Sequence, residues 1–287
     1  MTQDLQVQPG HGRAPAVRLI ATDIDGTLLN SENMLPPANR RAVQQALAHG
    51  VQLTLATARK RSSTLAVAAQ LGVSCACIAH NGARMWDWSG QELRHLVIDL
   101  ELARAIAAFA DERALAMVLT VDEVNYYSSS YPFNPAWQSR EDRVTPSLSA
   151  VLTTAPTRII VAGAAAIDAV AATFGAASET LVLHRYYSRE GAFASAVLTH
   201  PRATKEDAVA ELAQRSGISA AEVLALGDAE ADAGLLRWAG IGVAMGNAMP
   251  EARAAAQWIA PTHDEAGFAA AVERFVLHGA GERGRSA

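Results

Sequence analysis

This chain of 287 residues predicts an α/β fold, a parallel-sheet core domain interrupted by an inserted α+β domain. Two observations predict it. Short apolar runs alternate with longer helical periods at both ends of the sequence, and continuous apolar strands separated by helices belong to parallel sheets covered on both faces. In the middle the rhythm breaks. All five tyrosines and three of the five tryptophans fall between Arg84 and Leu198, where turn-prone pieces such as SSSYPFNP occur.

The elements follow in order. VRLIAT is the first strand. Pro36 and Pro37 suit a helix start, and that helix runs to Ala48 before Gly50 ends it. VQLTLAT is a second strand, a helix spans about Ser62 to Leu71, and CACIA is a third strand. In the middle, strand-like runs recur at MVLTV, TRIIVAG and LVLHRYY, with helices near 100–112 and 165–174. From Pro201 the first rhythm returns: a helix from about Lys205 to Arg215, the strand EVLAL, the helix AEADAGLLRWA, the strand IGVAM, the helix PEARAAA, the strand WIA and a helix ending near Leu277. Residues 17–83 and 199–278 are expected to form one sheet domain, with 84–198 as an inserted cap. Residues 1–16 and 279–287 read as disordered tails.

Composition narrows the function classes. Half the residues are hydrophobic and 18% are charged, enough for a sizeable core. A formal charge of -5 argues against a nucleic-acid or anionic-membrane surface. No apolar segment reaches membrane-span length, and the N-terminus lacks the pattern of a secretion signal. Cys75 and Cys77 are too close for an ordinary bridge and read as buried thiols in a reducing compartment. A cytoplasmic protein, monomer or homodimer, with a small-molecule partner is expected.

In an open α/β sheet, chemistry sits beyond the carboxyl ends of the strands. Asp23 and Asp25, in IATDIDGTLL, follow the first strand at such an end. Residues two apart in an extended segment share a face, so both acids can point at one site. The alternative is a helix cap and a solvated acid. Thr57 ends the next strand, either as a helix cap or as a hydroxyl donor to an anion. Lys205 opens a helix between Thr204 and Asp207, a capping-box-like pair. A lysine there is either ordinary and exposed, or faces an anion at the helix start. Asp228 follows Gly227 at a further strand end, and Asp232 lies one helical turn on. Four acids at one sheet edge repel each other. A hard divalent cation offsets that repulsion, and oxygen ligands suit magnesium. Together these groups suit holding a metal and attacking phosphorus.

DIDGTLL, LATAR, KEDA, GDAEAD and AGIGVAMGNA occur in an order and spacing similar to the haloacid dehalogenase superfamily. The likeness is strongest to its Cof-type phosphatases, which carry a large α+β cap on a Rossmann-like core. HNGA, His80 to Ala83, resembles the step that precedes their cap. The resemblance implies Asp23 as the nucleophile that becomes an aspartyl phosphate, and Asp25 as the acid and then the base. It implies Thr57, Lys205 and Asn81 around the phosphoryl group. Magnesium would be held by Asp23, the Asp25 carbonyl and Asp228, with Asp232 ordering water or Lys205 behind them. Departures stand at Ala58 and Glu206, where glycine is frequent, and at Ala231, where an asparagine is usual. The implied activity is hydrolysis of phosphomonoesters of small metabolites, such as sugar phosphates or phosphorylated cofactors. A sugar-phosphate mutase and a non-catalytic binder of phosphorylated ligands are the alternatives. In the cap, the tyrosines, Trp137, Arg158, Arg185 and Arg189 are candidate substrate contacts, and HRYYSRE is the piece expected to face the site.

Overall fold

A computed structural model describes residues 17–132, 141–175, 179–187 and 194–278. The expected tails, Trp137 and Arg189 lie outside these residues. The strands are Leu19–Thr22 (β1), Gln52–Ala56 (β2), Ala76–Ala79 (β3), Arg84–Trp86 (β4), Glu92–His95 (β5), Met117–Val121 (β6), Val124–Ser128 (β7), Arg143–Thr145 (β8), Arg158–Ala162 (β9), Val182–Tyr187 (β10), Ala194–Thr199 (β11), Val223–Gly227 (β12), Ile241–Ala244 (β13) and Trp258–Ile259 (β14). The α-helices are Pro37–Ala48 (α1), Arg61–Leu71 (α2), Leu100–Glu112 (α3), Leu148–Val151 (α4), Ala164–Phe174 (α5), Lys205–Arg215 (α6), Ala233–Trp238 (α7), Pro250–Ala255 (α8) and Gly267–Val272 (α9).

The first sheet runs β14-β13-β12-β1-β2-β3-β4-β5. β1 lies between β12 and β2 and is parallel to both, so strands from the two ends of the chain share its centre. Its LIAT sequence is buried throughout because each face carries a helical layer. Ile20 packs in a cluster with Val43 of α1, Leu71 of α2 and Phe268 of α9. Leu19 and Ala21 pack in another with Val209 and Leu212 of α6 and Leu235 of α7. Burying one such leucine or isoleucine contributes about 1.5–3 kcal/mol. The parallel arrangement brings the ends of β1, β2, β3 and β12 to one edge. Cys75 and Cys77 are buried free thiols, pushed up by burial to about 11 and about 12.

Sheet membership differs from the sequence expectation in one place. β4 and β5, within the segment assigned to the insert, extend the first sheet antiparallel to β3. The tight turn at His80–Gly82 folds the chain straight back onto β3, so the second sheet begins only at β6.

That second sheet runs β10-β11-β9-β6-β7-β8. One face is covered by α3, α4 and α5: Ile106, Leu148 and Ile167 pack with Met117, Leu119, Ile159 and Leu198. The register puts Tyr127, Val118, Ile160, Val197 and His184 in one row on the other face. Among the described residues no helix is long and apolar enough to cross a membrane.

Candidate active site

Lys205 organises the site. It is the first residue of α6, whose start is capped by the Thr204 hydroxyl accepting from the Asp207 amide at 3.0 Å. Its side chain is only 3% exposed, and its ammonium lies 2.9 Å from Asp23 Oδ1 and 2.6 Å from Asp232 Oδ1. A cation at a helix start opposes the helix dipole. Two charge-assisted contacts offset that cost and hold Lys205 above the usual lysine range despite its burial. Asp23 follows β1, and its amide donates to the Leu226 carbonyl at 3.0 Å. Burial pushes the Asp23 carboxyl up to about 8. Lys205 opposes the rise, while Asp232, Asp228 and Asp25 add to it.

Asp228 stands across from Asp23 at the end of β12. Thr27 donates to its Oδ1 at 3.1 Å, and the Asn247 amide reaches its Oδ2 at 3.4 Å and the Gly26 carbonyl at 2.9 Å. Gly26 has φ +71, and a Cβ there would come within 2.2 Å of Asp228 Oδ2. Only glycine lets the acid loop approach so closely. Both oxygens of the buried Asp232 are engaged: Oδ1 by Lys205, Oδ2 by the amides of Asp228 and Ala229 at 3.0 and 2.9 Å. Ligand-capable oxygens of Asp23, Asp228 and Asp232 lie within 4.8 Å of one another. This all-oxygen donor set, on a carboxylate raised first by burial and further by like charge, fits a hard divalent cation. The Asp232 oxygens are held by an ammonium and two backbone amides, whereas Asp228 meets the side-chain donors of Thr27 and Asn247 and Lys205 meets Asp23 at one oxygen, so Asp23 and Asp228 are the better-placed side chains to hold an ion.

Asp25 is exposed, and both of its oxygens meet Arg59: Nε to Oδ2 at 2.8 Å and a terminal nitrogen to Oδ1 at 2.5 Å. That pairing, led by the hydrogen bond, raises the Arg59 guanidinium above its usual range. Thr57 is buried at the end of β2. Its hydroxyl accepts from the Arg59 amide at 3.2 Å, whereas α2 starts only at Arg61. Thr57 therefore closes the strand-end loop and does not cap the helix. Asn81 is also buried, and its amide donates to the Thr57 carbonyl at 2.9 Å. His80 and Asn81 both adopt left-handed backbone, with φ 52 and 56. Gly82 follows at φ +99, where a Cβ would lie 2.1 Å from the Thr204 carbonyl oxygen. The HNGA turn thus packs directly on the residue before Lys205.

Sequence reasoning did not single out Arg59, Thr27 or Asn247. Arg59 carried a signal, a charge two residues past the strand-end Thr57. Thr27 and Asn247 sit inside quoted motifs as small polar residues, with nothing to separate them from turn formers. Two of the departures have local answers. Glu206 lies over Gly234, where a Cβ would come within 2.5 Å of its Oε2. Ala231 has no side-chain amide, and a side-chain amide reaches Asp228 from Asn247.

A family model described as haloacid dehalogenase-like hydrolase matches residues 20–272. The chain belongs to that family. YxeH of Bacillus subtilis is 29% identical over 289 residues, covering 91% of this chain and 98% of that protein. Also similar, at 25% identity over 273 residues, is 5-amino-6-(5-phospho-D-ribitylamino)uracil phosphatase YcsE of the same organism, with 91% and 96% covered. The solved structure of a haloacid dehalogenase-like hydrolase from B. subtilis superposes with a TM-score of 0.78 at 23% identity, over 91% of this chain and 100% of that one.

In this haloacid dehalogenase-like hydrolase, the second sheet roofs the strand-end loops. Arg158, at the start of β9, is buried and donates to the Ala58 carbonyl at 2.6 Å and to the Thr120 hydroxyl at 3.2 Å. The ammonium of Lys60 lies 3.2 Å from the buried Asp142 carboxylate. On β10 the row facing the core is that of His184. Burial lowers its imidazole, and the charge of Glu230, in the loop after Asp228, opposes that shift. Arg185 needs correction as a substrate contact. Adjacent strand residues point to opposite faces, and Arg185 lies on the helix side, 3.2 Å from Asp168 of α5.

Proposed function

We propose that this family member is a magnesium-dependent phosphatase that hydrolyses phosphomonoesters of small metabolites through an aspartyl phosphate on Asp23. The observation that carries the reading is the buried Lys205 ammonium between Asp23 and Asp232, at the edge where Asp25, Thr57 and Asp228 also converge. Magnesium would be held by the Asp23 and Asp228 carboxylates and the Asp25 carbonyl; when bound it supplies charge that lowers repulsion between Asp23 and a phosphate dianion.

The chain's own residues then divide the reaction. An Asp23 oxygen attacks phosphorus while the bond to the leaving oxygen breaks. Asp25 gives its proton to that oxygen. In the second step Asp25 takes a proton from water, the water oxygen attacks phosphorus, and the Asp23–phosphorus bond breaks to release phosphate. Thr57, Asn81 and Lys205 hold phosphoryl oxygens. Arg59 clamps both Asp25 oxygens in this structure, so that clamp must open before Asp25 transfers a proton. The roof excludes water and meets the leaving group. The name of YcsE gives a phosphorylated ribityl compound as that protein's substrate, so phosphorylated polyols and sugars form the first substrate panel.

Turnover of p-nitrophenyl phosphate by Asp23→Asn is the test. Loss of at least about a thousandfold is expected for a missing nucleophile. A variant that keeps most of the activity removes Asp23 from the covalent role.

A further inference from the structure

We infer that Glu123, contributed by the second sheet, is a positioning residue for the phosphoryl site, tying together the two core loops that carry Thr57, Arg59 and Asn81. The inference rests on the phosphatase reading above. Glu123 is the second residue of the two-residue turn between β6 and β7, where Val121 pairs with Val124. Asp122 and Glu123 have φ 45 and 72. Turns with both central residues in this region favour Asn-Gly or Asp-Gly, because glycine meets no steric cost there. A glutamate is a poor local choice, and such a residue persists where its surroundings over-determine it.

Its surroundings are two loops of the other sheet. One oxygen of Glu123, Oε2, accepts from the Arg61 amide at 2.8 Å. Arg61 opens α2, whose own N-cap, Lys60, makes no side-chain cap bond and whose first turn holds no acid. Glu123 thus does from a distant segment what a capping side chain does locally. The other oxygen, Oε1, accepts from His80 Nε2 at 2.7 Å and from Arg84 at 3.2 Å. His80 is buried, precedes Asn81 and shares its left-handed backbone. The two loops are also laced to each other: the His80 amide donates to the Arg59 carbonyl at 3.0 Å, and the Asn81 amide to the Thr57 carbonyl at 2.9 Å. A single carboxylate therefore clamps the laced pair, one residue from Asn81 and two from Arg59. Arg158 and Asp142, from the same sheet, add their bonds at Ala58 and Lys60. The phosphoryl-binding geometry is accordingly complete only while the β6–β7 turn is docked.

The full-length protein provides the test. Glu123→Gly removes the carboxylate yet leaves Asp-Gly, the pair this turn favours, so the hairpin retains its shape. Asp122→Asn is the control in the same turn, and thermal melts establish that each variant is folded. The readouts are kcat and KM with p-nitrophenyl phosphate and competitive inhibition by inorganic phosphate. Glu123→Gly is expected to lower kcat by about tenfold or more and to weaken phosphate inhibition comparably, because misplaced binding groups lose orientation. Glu123→Gln keeps one acceptor and recovers part of the loss. Asp122→Asn stays within about twofold of the parent. Glu123→Gly with kcat and phosphate inhibition both within about twofold of the parent overturns the inference and leaves the phosphatase reading standing. A parent protein without turnover or phosphate binding defeats that reading, and this inference with it.

Discussion

Lys205 shows how far a single position can be read from sequence. Its place at the start of a helix, one residue past a capping threonine, was legible, and so was its dual meaning. Burial settled the choice, because an ammonium 3% exposed between two carboxylates is no ordinary surface lysine. Arg185 and Arg59 mark the limits. Which way a strand residue points depends on register, which a run such as LVLHRYY does not state, and Arg185 lies one position from the core-facing His184. Arg59 offered only its charge two residues past Thr57, because its partner, Asp25, is 34 positions away. His80 supplies a prediction at this scale. Its unfolded imidazole titrates near 6.5. In the fold, burial and then the Arg158 charge lower it to about 4, against the pull of Glu123. Between those values the unfolded chain binds a proton that the folded chain does not, so stability falls as pH drops through this window and is full above it. The effect is of order 3 kcal/mol. Glu123, which burial raises but His80 and its other donors hold down to about 2, loses its own contribution only below its ordinary 4.5. Urea unfolding at about pH 7.5 and 5 should show a smaller acid loss for His80→Gln than for the parent. Equal losses contradict the assignment.

At the scale of elements, periodicity served well where strands are buried on both faces and helices follow, as in β1, β2, β3 and β12. It failed at β4 and β5. Trp86 and Trp88 gave that segment the aromatic character of the insert, yet the turn at His80–Gly82 returns it to the first sheet. The helix AEADAGLLRWA was also overdrawn. Its first residues form a tight turn, Glu230–Asp232, because Asp232 is held by the Asp228 and Ala229 amides and by Lys205 before α7 begins. Gly82 is the element-scale test. Alanine there meets both φ +99 and the Thr204 carbonyl at 2.1 Å. Strain of about 1–3 kcal/mol is expected, relieved by moving the start of α6 and with it Lys205. Gly82→Ala should therefore lose kcat by more than its thermal melt suggests. A variant that melts lower but turns over at the parent rate argues that α6 does not shift.

Across the whole molecule, one sheet gathers charge at its strand ends and the other roofs those loops through Arg158, Asp142 and Glu123. Asp23 and Asp228 face each other in a crowded acidic site, so a divalent ion that binds the fold and not the unfolded chain stabilises it by linkage. At about 100 times its dissociation constant the gain is about 2.7 kcal/mol, or several degrees in Tm for a chain of this size. Magnesium should raise the melting temperature of the parent, chelation should remove the rise, and Asp228→Asn should abolish it. A parent melt indifferent to magnesium contradicts the metal assignment. The most direct measurement concerns the covalent step. Asp25→Asn lacks both the acid of the first displacement and the base of the second. It is therefore mixed with phosphate-labelled p-nitrophenyl phosphate, whose leaving oxygen needs no proton, then quenched in acid and mapped by peptide mass spectrometry. Label is expected on the peptide holding Asp23, at that side chain. Label on another residue, or parent turnover with no label trapped on Asp23, would contradict the covalent role of Asp23.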